Sequence, residues 1–171
     1  ITNMKNFQVI NSFDIASGVT VTANASQISG KTVTGSGIIY IAHAANSITS
    51  PLYLGGISSS ITLQIGEGSF NNSVSTLPDN IQVETSMTVL ASLASGKTIT
   101  KKAGSTPTLT LAYANDSGSN YNLTGVSNHS DITRNITFTH STSYGTSLDG
   151  FNVTVASGKT LTVSAANISG V

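Results

Sequence analysis

The amino-acid sequence predicts an all-β fold, with a β-solenoid of stacked short strands preferred and a β-sandwich with strand exchange as the alternative. Two observations carry this prediction. Short runs of Val, Ile, Leu and Thr alternate apolar and polar side chains, and 16 glycines separate these runs at short intervals. An eight-residue pattern with a Ser-Gly corner also occurs three times along the chain. Short strands with dense turns are typical of all-β proteins, and a recurring strand-corner unit is typical of stacked coils.

The strands follow one another along the whole chain. Val19 and Val21 alternate with Thr20 and Thr22, which places the two valines on one face of a strand. β-branched residues fit a pleated, half-buried surface, so such runs favour strand over helix. The same alternation predicts strands over 61–65, 81–83, 109–111, 136–138, 153–155 and 161–163. Helix is a minor expectation, confined to 87–94 and 41–46.

The recurring pattern is apolar-Ala-Ser-Gly-x-Thr-apolar-Thr, at 15–22, 93–100 and 155–162. The first and third copies also share Ile-Ser-Gly, at 28–30 and 168–170, so one offset of 140 residues relates both elements. Glycine accepts positive φ at no steric cost, which makes Ser-Gly a tight corner from which a new strand begins. In a solenoid, such corners return with each coil, and outward Ser, Thr and Asn form ladders. The repeat units lie near 13–37, 91–102 and 151–171.

A length of 171 residues suits one all-β domain or a fragment of a larger repetitive protein. Residues 7–9 and 13–15 alternate apolar and polar side chains, and residues 1–12 are expected to form a linking or donor strand. A chain whose end resembles its beginning suits head-to-tail stacking, in which open strand edges pair between molecules. We therefore expect the partners to be copies of the same chain, in a polymer or a lattice.

The composition argues against several functional classes. Seven basic residues balance seven acidic ones, so nucleic-acid binding is not expected. No apolar run approaches 18 residues, so a membrane-spanning helix is not expected either. Cysteine is absent, which excludes disulfides and thiolate metal sites. Ser and Thr make up about 30% of the chain while charged residues make up 8%, and this balance indicates an extracellular or cell-surface location rather than the cytosol.

The stretch 19–37 reads Val-Thr-Val-Thr-Ala-Asn-Ala-Ser-Gln-Ile-Ser-Gly-Lys-Thr-Val-Thr-Gly-Ser-Gly. It resembles the repeats of large bacterial surface proteins, which include surface-layer proteins and autotransporter-like or hemagglutinin-like adhesins. The resemblance covers residues 13–41, 89–100 and 151–171. It implies secretion, a structural or adhesive role in a surface layer, fibre or filament, and membership of a longer or polymeric assembly. It implies no catalytic residue.

Two alternatives to a structural role depend on scattered side chains. A β-helical polysaccharide-active enzyme would need carboxylates to meet in space, and Asp116, Asp131 and Asp149 are the candidates. Arg134 lies near Asp131, and we expect these two residues to form an exposed ion pair. A carbohydrate-binding adhesin domain would need an aromatic platform, although the chain has no Trp. The platform candidates are Tyr40, Tyr53, Tyr113, Tyr121 and Tyr144.

The sequence also suggests a calcium loop and a set of glycosylation sites. The oxygen-rich stretch 115–120 makes Asp116 and Asn120 weak calcium candidates, but an EF-hand loop would need more carboxylates, and a plain turn is the alternative. No other cofactor and no catalytic residue are expected. Asn-x-Ser/Thr sequences accept N-linked sugars in secreted proteins, and a hydroxyl-rich chain also produces them by coincidence. They occur at Asn24, Asn71, Asn115, Asn122, Asn128, Asn135, Asn152 and Asn167.

Overall fold

The computed structural model describes residues 2–3, 10–44, 51–70, 75–113, 121–127 and 131–168. The chain winds into a β-solenoid of about seven turns, which confirms the preferred fold. Every strand pair in the described part of the chain is parallel. Parallel neighbours need a crossover between them, and here each crossover is one coil of the solenoid. The β-sandwich alternative is wrong, because sandwiches are built from antiparallel sheets.

Thirteen strands and four short helical segments make up the described coils. The strands are β1 Thr2–Asn3, β2 Ser12–Ile15, β3 Thr20–Thr22, β4 Thr32–Gly35, β5 Ile38–Ala44, β6 Thr62–Phe70, β7 Asn80–Leu90, β8 Thr98–Lys101, β9 Thr108–Tyr113, β10 Thr133–Phe138, β11 Thr142–Tyr144, β12 Asn152–Val155 and β13 Leu161–Val163. The helices are α1 Ala25–Ile28, α2 Ala91–Ala94 and α3 Thr124–Ser127, and Ala165–Ile168 forms a 3₁₀ helix.

One long sheet runs the length of the solenoid. Its described strands follow the order β1-β3-β5-β6-β7-β9-β10-β12, and β8 also pairs with β7. Two smaller sheets, β2 with β4 and β11 with β13, lie beside it. The register of β6 on β7 shifts between Ile65 and Glu67. Besides this shift, β7 has two partners on the same side. Residues 80–83 of β7 pair with β8, and residues 86–90 pair with β9.

The core is built from columns of inward side chains, one per coil. Because the strands are in parallel register, an apolar residue of one coil lies directly over an apolar residue of the next. In the longest column whose members are all buried, exposures are 6% or less, and burying each such side chain contributes about 1.5–3 kcal/mol. It consists of Val21, Ile39, Leu63, Ile81 and Ile99.

The predicted Ser-Gly corners are tight turns with glycine at positive φ. Ser29 has φ −59° and ψ 129°, and Gly30 has φ 73°, which is the geometry of a type II turn. Ser95 and Gly96 repeat these values at −60°, 127° and 73°. In both turns the N–H of the following lysine donates to the carbonyl three residues earlier, at 3.1 Å. The prediction of a glycine corner is therefore confirmed.

The three copies of the eight-residue pattern do not occupy one structural position. Residues 15–22 and 155–162 form strand, turn and strand, whereas residues 93–100 begin in α2 and end in β8. The copy at 93–100 is matched in structure by α1, its corner and β4, at 25–34. The corner is common to all copies because Ser-Gly dictates it locally. The element before the corner is set by packing against neighbouring coils.

The expected helices are wrong in most of their length. Residues 41–44 belong to β5, and only the second half of 87–94 is helical. Met87 and Val89 alternate inward in β7 and pair with β9, so tertiary pairing overrides local helix propensity. Helices α1, α3 and the 3₁₀ helix were not predicted. Each spans four residues, which is too short to produce a helical period in the sequence.

Candidate functional site

Serine hydroxyls join neighbouring coils at corners and beside the ends of strands. At α1, the Gly30 N–H donates to the Tyr53 carbonyl at 2.7 Å, and the Tyr53 N–H donates to Ser29 Oγ at 3.0 Å. We call this two-bond arrangement a serine clamp. It satisfies a backbone donor and a backbone acceptor where the two coils meet. Four such clamps occur in the described coils: Ser29-Gly30 on Tyr53, Ser75-Thr76 on Leu52, Ser95-Gly96 on Asn122, and Ser141-Thr142 on Thr160.

Two clamps carry a glycine in close approach on the partner coil. Gly125 lies three residues after Asn122, and a Cβ built on it would collide with the carbonyl oxygen of Lys97. Gly56 lies three residues after Tyr53, and its Cβ would meet the carbonyl of Lys31 in the same way. A side chain at either position would therefore push the coils apart. Sequence analysis missed this pairing of a corner with a glycine one coil later, because the distance in sequence varies with coil length.

Ion pairs add a second set of contacts between coils. The pairs are Lys97–Asp79 at 2.8 Å, Lys101–Asp131 at 2.9 Å and Lys102–Glu84 at 2.5 Å. The hydrogen bond from Lys102, followed by that from Tyr40, lowers the pKa of Glu84, and the bond to Glu84 raises the pKa of Tyr40. The Lys102 ammonium also lies 5.7 Å from the Tyr40 ring centroid. These partly exposed pairs each contribute about 0–1 kcal/mol to the free energy of unfolding, which is less than the burial of one apolar core side chain.

The last described coil has strand neighbours on one side only. Among the described strands, β12 pairs only with β10, and β13 pairs only with β11. The outward N–H and C=O groups of both strands therefore lack the ladder that earlier coils provide. An open recess of about 570 Å³ lies beside this edge, lined in part by Tyr144, Val163 and Asn167.

The same coil exposes apolar side chains that the matching first coil buries. Val155 is 38% exposed, whereas Ile15 at the same place in the repeat is 1% exposed. Ile168 is 44% exposed, whereas Ile28 is fully buried. Leu161 and Val163 are half-buried, while their counterparts in the first coil are buried at 6% exposure. We call Val155, Leu161, Val163 and Ile168 the end surface.

The predicted glycosylation candidates lie in several environments. Asn24 is the N-cap residue that precedes α1, and its backbone N–H donates to Gln27 Oε1 at 2.7 Å. Asn122 accepts the hydroxyl of Thr124, the Thr of its own sequence triplet, at 2.6 Å. Asn152 donates to Asn135 at 3.0 Å across neighbouring strands, so these two amides form part of a polar ladder. Asn167 is half-buried beside the end surface, and Asn71, Asn115 and Asn128 lie outside the described residues.

The remaining candidates do not form one site in the described chain. Asp116 and Asn120, the calcium candidates, lie outside the described residues. Asp131 pairs with Lys101, and the expected exposed ion pair with Arg134 is wrong because Arg134 is only 8% exposed. Its guanidinium lies 5.2 Å from the Phe151 ring centroid, and burial lowers its pKa. Arg134 is in register with the buried Leu109 of β9, and the Phe151 ring over which its guanidinium lies is also buried, so this side chain packs among core residues.

The tyrosine candidates for a sugar platform are divided between core and surface. Tyr144 is buried, with its ring 5.5 Å from Phe138 in an edge-to-face arrangement. Tyr53 is 51% exposed at a mid-solenoid corner, and Tyr121 packs partly against the core. In the described part of the chain, no group of three or more His, Asp or Glu side chains gathers at metal-binding distance. None of the helices in the described residues is long and apolar enough to cross a membrane.

The described residues thus form a parallel β-solenoid with clamped corners. Comparisons with known protein families, with curated proteins and with solved structures found no match to this chain.

Proposed function

We propose that this chain is an extracellular structural protein, a subunit or segment of a surface layer, fibre or filament, that assembles through β-strand contacts. The observation that supports this proposal most directly is the solenoid itself, in which about seven parallel coils pair along one long sheet over a shared apolar core.

The proposed role is mechanical rather than catalytic. Parallel ladders, buried apolar columns and serine clamps make each coil depend on its neighbours, so stability accumulates along the axis of the solenoid. The outward face carries Thr, Ser and Asn in place of charged residues. The absence of net charge leaves little long-range repulsion against close stacking of molecules. The resemblance of residues 19–37 to repeats of bacterial surface proteins supports the same role.

Labelling of intact cells tests this proposal. An antibody raised against the purified chain should label the outside of intact cells of the source organism in electron micrographs. Permeabilised cells are the control for hidden antigen. Labelling that appears only after permeabilisation would contradict an extracellular role.

A further inference from the structure

We propose that the outward face of β7, β9 and β10 binds the surface of an ice crystal through a regular array of side-chain hydroxyls. This inference goes beyond the structural role proposed above and does not depend on it. Six outward side chains, five of them hydroxyls and one an amide, form what we call the hydroxyl array. They are Ser86, Thr88, Thr108, Thr110, Thr133 and Asn135.

The hydroxyl array forms two straight columns in the middle of the solenoid. Thr108 is in register with Ser86 on one side and with Thr133 on the other, and Thr110 lies between Thr88 and Asn135 in the same way. Members of one column are therefore about 4.8 Å apart, and the two columns are about 6.6 Å apart along each strand. Each of the three strands has a paired neighbour on both sides, so the array does not depend on where the described chain begins or ends.

The array faces away from the core and carries no charge. The residues that alternate with it, among them Met87, Leu109 and Arg134, are 8% exposed or less, whereas the array itself is half-buried or exposed. In β9 and β10, and in β7 from residue 86 onward, Arg134 is the single charged residue, and its side chain is turned inward. Glu67 of β6, in register with Ser86, borders the array on one side.

The hydroxyls of the array are available to an external partner. Within the part of the chain that the structure describes, no hydrogen bond joins these five hydroxyls to another protein group. The hydroxyl of Thr34, outside the array, is instead used inside the protein, where it donates to Asp14 at 2.9 Å. Asn135 accepts a hydrogen bond from Asn152 at 3.0 Å, which holds its amide in place. The array thus presents uncommitted hydroxyls at fixed positions.

An ice surface is the partner that this arrangement fits. The prism faces of hexagonal ice repeat their oxygen atoms at similar distances along two perpendicular directions, so hydroxyls held in register can occupy positions of the crystal lattice. Threonine is stiff at χ1, so little side-chain entropy is lost when its hydroxyl takes one position. Side-chain ladders also help a sheet to stay flat, as contact with a crystal face requires. Charged groups would hold a shell of liquid water, and the array has none.

Two other kinds of partner fit the array less well. A glycan is usually held by an aromatic side chain together with polar groups, and a polyanion is held by Lys or Arg. The array has neither. These groups lie instead over another part of the long sheet, where Lys102 pairs with Glu84 beside the Tyr40 ring.

Inhibition of ice recrystallisation by the purified 171-residue chain tests the inference. At micromolar concentration the chain should slow the growth of ice grains in a frozen film held just below its melting point, and an unrelated globular protein should not. Thr110→Tyr and Thr108→Lys, each made singly, should raise the concentration needed by about tenfold or more, because each change lifts the neighbouring hydroxyls off the crystal. Thr98→Tyr and Thr98→Lys are the matched controls and should leave the activity unchanged, because Thr98 is an exposed threonine of β8 outside the array.

Partition into slowly grown ice provides a direct readout of binding. The fluorescently labelled wild-type chain should enter the ice, whereas Thr110→Tyr should stay in the liquid while keeping the melting temperature of Thr98→Tyr. A wild-type chain that is excluded from ice would overturn the proposal without reference to any variant, and so would a Thr110→Tyr chain as active as Thr98→Tyr. Binding to insoluble cellulose or chitin that Thr110→Tyr removes, with no effect on ice, would overturn it in favour of a glycan partner. Cell-surface labelling tests the structural role separately.

Discussion

Replacing Ser75 by alanine tests whether the serine clamps hold the coils together. Ser75 is 5% exposed, and its Oγ accepts the Leu52 N–H at 3.0 Å. Leu52 is equally buried, so water does not readily replace the lost hydroxyl. A buried donor left without an acceptor costs about 1–3 kcal/mol. We therefore expect Ser75→Ala to lower the free energy of unfolding by about 2 kcal/mol.

The other clamps give a graded comparison. Ser29 and Ser95 are half-buried, so water can take over part of the bond in Ser29→Ala and Ser95→Ala. These variants should lose about 0.5–1 kcal/mol, near the net value of an ordinary hydrogen bond. Ser143→Ala, in which an exposed strand serine is shortened in the same way, is the control and should change stability by less than about 0.5 kcal/mol.

Denaturant unfolding measures the total loss, and hydrogen exchange at the Leu52 amide measures where it occurs. Solenoid coils interact mainly with their neighbours, so local exchange separates loss of one clamp from global unfolding. The reasoning is refuted if Ser75→Ala is as stable as Ser143→Ala, or if exchange at Leu52 does not accelerate.

Three further predictions concern coil spacing, charge and the core. Gly125→Ala should lower the free energy of unfolding by about 2–3 kcal/mol, because a Cβ at this position would collide with the carbonyl oxygen of Lys97 in the preceding coil. Gly96→Ala, which has open space but positive φ, should cost only about 1–2 kcal/mol, and the reverse order of melting temperatures would contradict this. The lowered pKa of Glu84 means that its bond to Lys102 contributes stability above the ordinary pKa of a glutamate and loses it as the pH falls through the lowered value. Glu84→Gln should therefore flatten the acid side of a stability-pH curve, and an unchanged curve would count against the pairing. Ile99→Ala should cost about 2–5 kcal/mol in denaturant unfolding, since Ile99 is fully buried in the longest column, and a loss below 1 kcal/mol would show that the column is not continuous.

Local chemistry made much of the fold predictable. Alternation of Val19 and Val21 with threonines indicated a half-buried strand, and the structure places Val21 in the core. The Ser-Gly corners at Gly30 and Gly96 were predictable because a type II turn needs positive φ at one residue, and glycine adopts it without strain. Arg134 shows where local reading fails. Its charge predicted an exposed ion pair, but its place in β10 brought the side chain against Phe151.

The sequence by itself indicated short strands, preferably stacked in a solenoid with a sandwich as the alternative, glycine corners between them, and few charged residues. These properties depend on one residue or a short run, so they can be read without knowing what lies beside them. Only the tertiary structure decided which serines clamp which coil, why Gly125 has no room for a side chain, and why the copies at 15–22 and 93–100 begin in different elements. These features depend on the neighbouring coil, which lies some twenty residues away along the chain and at a spacing that varies from coil to coil.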